Sequence, residues 1–160
     1  MKGRLEMKKE ILTYPKDKET LLKVSEEVKS IDEVKDLIQD MKDTLHAAGD
    51  DAAGLSAVQI GVLKRVCIIH YDNQEIIMIN PKITWTRKGP NGIKPFKEGC
   101  LSAPGVYVDV NRPQKVICQY TDENWELQEI GQGGWMSAII QHELDHLDGH
   151  CEVFNAVQEN

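Results

Sequence analysis

A helical run that is apolar on almost every side must sit at the centre of its fold, and Trp135–Asp148 is such a run. Trp135, Met136, Ala138, Ile139, Ile140, Leu144 and Leu147 cover nearly the whole circumference. Yet the same run carries His142, Glu143 and His146, and buried polar groups need partners. Residues i and i+4 share a helix face, so the two imidazoles can converge on one metal ion. Glu143 projects about 100° away, near the open side of such an ion. There it can take a proton from water and later deliver it to a leaving amine. A metal lowers the pKa of water from 15.7 toward about 7 in favourable sites. The HExxH pattern also arises by chance in surface helices; here the apolar flanks favour a ligand set.

The rest of the chain supplies the surroundings. Its 160 residues fit one domain spanning 1–160. Aromatics are only 6%, so Ile, Val, Leu and Met must fill most of the core. Ser30 and Glu33 form a capping-box pattern, and Val34, Leu37, Ile38, Met41 and Leu45 follow at helical spacing. That predicts an amphipathic helix ending near Ala48–Gly49. Residues 1–30 carry little pattern. Strands are predicted at Arg65–Tyr71 and Glu75–Asn80, joined by a turn at Asp72–Gln74. Further strands are expected at Lys82–Thr86, Val106–Val110, Lys115–Tyr120 and Glu126–Ile130, with a break at Gly131–Gly134. Gly149 suits a helix stop. The order implies an α+β fold: mainly antiparallel sheets packed around a central buried metal-binding helix, with an N-terminal amphipathic helix.

A formal net charge of −7 argues against unassisted binding to DNA or anionic lipid. No apolar run approaches the roughly 18 residues that span a bilayer. Met1–Glu10 is followed by no apolar signal region, so a cytoplasmic protein is expected. The four cysteines form no CxxC pair and suggest no disulfide framework. Cys67 and Cys118 lie in strand-like runs and read as buried thiols; Cys151 has no assigned role. His46 and His70 have no motif around them, and His150 lies beyond the helix.

Two histidines do not complete a catalytic site, which usually has three protein ligands. Asp, Glu, His or Cys elsewhere could supply the third. Glu98-Gly99-Cys100-Leu101-Ser102 stands out, because Cys100 beside a glycine, in a loop between strand groups, offers a soft thiolate. Gly54-Leu55-Ser56-Ala57-Val58-Gln59 is a third distinctive segment, with small residues around one polar side chain, Gln59.

These three segments, with Gln141-His142-Glu143-Leu144-Asp145-His146 as the last, resemble the ordered signature motifs of peptide deformylases over roughly residues 8–155. The resemblance implies hydrolysis of the formyl group on N-terminal formylmethionine of nascent chains. It implies Cys100, His142 and His146 as ligands of one divalent ion, commonly Fe²⁺, with Zn²⁺, Ni²⁺ or Co²⁺ able to substitute. It makes Glu143 the acid/base, and the Gln59 side chain and Leu101 N–H the oxyanion donors. Ala53, Trp135, Ala138 and Ile139 become walls of a methionine pocket, and Gly54 and Gly99 lie beside the substrate backbone. Formylmethionyl nascent peptides are the expected partners, in a bacterial cytoplasm or from a phage gene. Few residues follow Gly149, which weakens the expectation of ribosome contact. The sequence departs from the family at Ala52, usually Gly, and Ser56, usually Ala. Arg112 is expected to pair with Glu98. Two rivals are a general HExxH metallopeptidase, with Glu, His or Asp as third ligand, and a noncatalytic metal-stabilised binding module.

Overall fold

The computed structural model describes residues 7–159. Residues 1–6 and 160 lie outside it, so the ends of the expected 1–160 domain and part of the Met1–Glu10 reading are beyond the described residues. The chain runs as α1 (Lys18–Leu21), α2 (Lys35–Ala47), β1 (Gly54–Ser56), β2 (Val66–Tyr71), β3 (Gln74–Thr86), β4 (Ile93–Cys100), β5 (Ala103–Pro113), β6 (Lys115–Thr121), β7 (Leu127–Gly133) and α3 (Gly134–Leu147). Short 3-10 turns occupy Ile31–Glu33, Ala57–Ile60 and Glu152–Ala156.

The strands form a five-stranded sheet, ordered β1-β2-β3-β6-β7, and a two-stranded sheet, β4-β5. All the strand ladders are antiparallel. The unbroken apolar run Val66-Cys67-Ile68-Ile69 has a simple cause, because successive side chains point to opposite faces. Val66 and Ile68 join Ile77 and Ile79 against Ile38, Met41 and Leu45 of α2. Cys67 and Ile69 join Met78 against Met136, Ile140 and Leu144 of α3. The sheet is thus covered on both faces. Each fully buried aliphatic side chain stabilises this arrangement by about 1.5–3 kcal/mol. A third cluster, with Leu21, Ala103, Cys151, Val153 and Phe154, fastens the segment after α3 to the β4-β5 hairpin.

Several expectations need correction. Ser30 and Glu33 open only a 3-10 turn, and Ser30 makes no side-chain cap. Val34, at φ −129°, separates that turn from α2. Lys82–Thr86 is no separate strand but the continuation of β3 past an irregularity at Asn80–Pro81. Asn80 has a left-handed φ of +52°, and its side chain accepts from Val28 N–H and donates to Val28 O, both at 2.8 Å. The glycines after Ile130 do not break β7: Gly131 pairs with Ile117 and Gly133 with Lys115. The pattern gave no sign of β4, because only Phe96 and Glu98 are buried along it and Pro95 interrupts it. Cys100 therefore ends a strand and does not sit in a loop. The predicted β2-β3 turn forms with Asp72 and Asn73 at φ +52° and +60°, the mirror-image turn that suits the twist of a hairpin.

The poorly patterned N-terminal segment is a strap. Leu12 N–H donates to Gln59 O at 2.8 Å, Tyr14 N–H donates to Ser102 O at 2.8 Å, and Ser25 N–H donates to Leu147 O at 2.9 Å. It ties together segments distant in sequence. Among the described residues no helix is long and apolar enough to cross a membrane.

Candidate metal centre and catalytic cleft

α3 holds its polar residues where the sheet, hairpin and strap meet. His142 and His146 lie one turn apart, with ring centroids 4.9 Å from each other. The end of β4 brings Cys100 Sγ to 3.3 Å from His146 Nε2. Cys151, just after the Gly149 turn, joins them: the ligand atoms of Cys100, His142, His146 and Cys151 all lie within 4.8 Å of one another. Imidazole and thiolate donors at this spacing fit a four-coordinate ion, whose bonds run about 2.0–2.3 Å. No spacing rule pointed to Cys151; only the chain reversal at Gly149 carries it back to the helix.

His142 is oriented from behind. Its Nδ1 lies 3.0 Å from Glu98 Oε1, which leaves Nε2 for a metal. Glu98 is gripped in turn by Arg112, through Nε to Oε2 and through Nη2 to Oε1 at 2.9 Å. Arg112 Nη1 also donates to Asp145 Oδ2 at 3.0 Å, so the expected Glu98–Arg112 pair forms and extends to α3. Burial pushes the Glu98 carboxyl up, but the hydrogen bonds from His142 and Arg112 outweigh it and hold it below its usual value. Burial likewise opposes protonation of His142, and the Glu98 contact overrides it, raising the imidazole to about 9. Hydrogen bonding between the two thiols and burial push Cys100 up, while the Cys100 and His146 contacts hold Cys151 down.

Glu143 is buried, and its Oε1 lies 2.9 Å from Ser56 Oγ, which is also 2.9 Å from Glu143 O. Ser56, one of the two family departures, thus has the partner that a buried hydroxyl needs. Ala52, the other, has no positive φ and packs in the α2-side core. Gln59 is held by its own turn: its Oε1 accepts from Ser56 N–H at 2.9 Å. Its Nε2 is thereby aimed at Ser102 Oγ, 3.1 Å away, and Cys100 Sγ, 3.7 Å away. Leu101 occupies the turn between β4 and β5.

A cleft of about 840 Å³ opens over these groups. Its lining brings together Ala53, Gly54, Gln59, Gly99, Cys100, Leu101, Trp135, Ala138, Ile139, His142 and Glu143. His146 lies beneath, fully buried. The helix is not covered all round as its composition suggests: Trp135 is 45% exposed and edges against Phe96 at the rim. His70, which has no motif, also lines the cleft. His46 and His150 instead meet Glu75 and Glu152 at the surface.

Gly54 makes room for Glu143. A Cβ built there would lie 2.7 Å from Glu143 Oε2 and 3.0 Å from Ile68 O. Gly54→Ala is expected to displace the carboxylate and lower kcat/KM far more than it lowers the melting temperature. Side-by-side kinetics and thermal unfolding check this; unchanged kinetics would contradict the crowding.

The chain matches the sequence profile described as polypeptide deformylase over residues 8–159. It belongs to the peptide deformylase family. A peptide deformylase of Aquifex aeolicus is 43% identical over 150 residues, covering 89% of this chain and 84% of the relative. One from Picosynechococcus is 39% identical over 143 residues, covering 86% and 74%. The crystal structure of a peptide deformylase from Synechococcus elongatus in complex with actinonin superposes with a TM-score of 0.81 at 37% identity, covering 94% of this chain and 80% of that one. A probable peptide deformylase from Synechococcus phage S-SSM7 gives 0.79 at 32% identity, covering 89% and 96%. The mixed helix and antiparallel-sheet architecture is that of the deformylases. The family removes the formyl group from N-terminal methionine and depends on a metal, and this chain is a peptide deformylase by that membership.

Proposed function

We propose that the cleft performs deformylation with Cys100, His142 and His146 as ligands of one divalent transition ion, Fe²⁺ in the cell, with Zn²⁺, Ni²⁺ or Co²⁺ as substitutes. When bound, that ion supplies Lewis acidity and lowers the pKa of water. Glu143 takes the proton of the attacking water as its oxygen bonds to the formyl carbon. The Gln59 Nε2–H and the Leu101 N–H receive the charge that develops on the formyl oxygen. Glu143 then hands its proton to the methionine nitrogen, the C–N bond breaks and formate leaves. The observation that supports this reading best is the pinned Gln59 amide: Ser56 N–H fixes its carbonyl end and turns its donor end toward Cys100.

The substrate end follows from the lining. Ala53, Trp135, Ala138 and Ile139 offer an apolar pocket for the methionine side chain, and Gly54 and Gly99 leave space for the peptide backbone alongside. Such backbone pairing ignores downstream side chains, which suits nascent peptides of many sequences. We place this work in a bacterial cytoplasm, carried by a single catalytic domain. A Cys100 ligand disfavours the general metallopeptidase, and retention of Glu143 and Gln59 disfavours a noncatalytic module.

Formate release from formyl-Met-Ala-Ser by the Fe²⁺ or Ni²⁺ form tests the reading; no release from a metal-loaded, folded protein sinks it. Gln59→Ala is expected to lower kcat roughly 10²–10³-fold with a small change in KM, as loss of one oxyanion donor does. Steady-state kinetics on the same peptide checks it.

A further inference from the structure

The mechanism leaves Cys151 unused, although this thiol has an unusual address. Cys67 and Cys118 pack in an apolar cluster against α3. Cys151 is also buried, but its sulfur stands with three metal-binding groups, every ligand atom within 4.8 Å of the others. Its place is fixed by the backbone. Gly149 turns the chain at φ +78°, where a Cβ would fall 2.6 Å from Leu22 O. His150 N–H then donates to Asp145 O at 2.9 Å, and the following turn packs Val153 and Phe154 beside Cys151 and Ala103. The backbone thus holds Cys151 beside the centre.

A catalytic centre of this type keeps three protein ligands and an open position, whereas a centre with four is closed. We propose that Cys151 is a second thiolate ligand, giving this chain a closed Cys₂His₂ state beside the open Cys-His₂ state that hydrolysis uses. The proposal rests on the ligand assignment of Cys100, His142 and His146 above. The closed state protects the ion from loss, favours thiophilic four-coordinate ions such as Zn²⁺ and Co²⁺, and must release Cys151 before the formyl group can react. Cys151 thus acts as an internal competitor for the reacting position.

Cobalt alone is the probe. Co²⁺-loaded wild type is expected to show about twice the thiolate-to-cobalt charge-transfer absorbance per bound ion of Cys151→Ser, one thiolate having been lost. Cys100→Ser is expected to retain a single-thiolate band, carried by Cys151, and the double variant none. Equal absorbance in wild type and Cys151→Ser, with no band in Cys100→Ser, overturns the proposal. X-ray absorption on the zinc form of the unaltered protein gives a result independent of any variant's folding: two sulfur neighbours support the proposal and one overturns it. Formate release, measured on the same samples, separates the two readings. Two sulfurs in the wild type with release from neither it nor Cys151→Ser would reject deformylation and keep the second ligand; release with one sulfur would do the reverse.

Discussion

Glu143→Gln is expected to reduce formate release from formyl-Met-Ala-Ser by about 10²–10⁴-fold or more, the usual contribution of a positioned acid/base. The effect is expected in kcat, with little change in KM, metal content or melting temperature. The change is nearly isosteric, so the Ser56 hydroxyl, 2.9 Å from Oε1, keeps a polar partner and the tight space beside Gly54 is not disturbed. Glu143 is not one of the clustered donor groups, so the ion stays. What disappears is the capacity to accept a proton from water and return it to the amine. Metal analysis and kinetics on one preparation decide the matter. A variant with full metal and activity within tenfold of wild type would remove Glu143 from the chemistry.

Arg112→Met is expected to destabilise the fold by about 3–5 kcal/mol, the cost of stranding a buried charge when its partner is removed. At about 2–4 °C per kcal/mol for a chain of this size, the melting temperature should fall roughly 6–20 °C. Arg112 and Glu98 are both buried, and the guanidinium bridges β4 to α3 by holding Glu98 and Asp145 at once. Adding Glu98→Gln to Arg112→Met should recover part of the loss, because the stranded charge is then gone. The pH dependence has a definite sign. Glu98 is held below its usual value in the fold, so its pairing stabilises the protein above the unfolded carboxylate's pKa of about 4.3 and is lost as pH falls through the folded value. Arg112→Met should therefore show a shallower acid-side decline than wild type. Thermal melts across pH 3–7 check both claims; a melting temperature within a degree or two of wild type would show that the bridge carries no stability.

The parts legible in the sequence were those governed by short-range rules. The helical spacing of Ile38, Met41 and Leu45, the two imidazoles of α3 and the Asp72–Asn73 turn each depend on neighbours within a few residues. β4 escaped because an edge strand with one buried aromatic has no apolar alternation to read. Asn80–Pro81 looked like the end of a strand because local propensity cannot tell a bend from a stop when the Val28 hydrogen bonds that hold the bend come from far away. At the site, the convergence of His142 and His146 was readable because residues i and i+4 share a helix face, and the β4 end brings Cys100 to them. Cys151 was not readable: its relation to the centre is made by a left-handed glycine turn, and sequence spacing alone does not define where that turn leads.

The contact between Ser56 and Glu143 joins residues 87 apart, and that between Cys100 and His146 joins residues 46 apart. Closing such long loops costs chain entropy before any local contact repays it, which slows folding. α3 lies late in the chain, so during synthesis the earlier strands emerge with one face of β2 still bare. The contacts that assemble the cleft thus wait for α3, and the apolar face of β2 that α3 covers stays open to other partners until then.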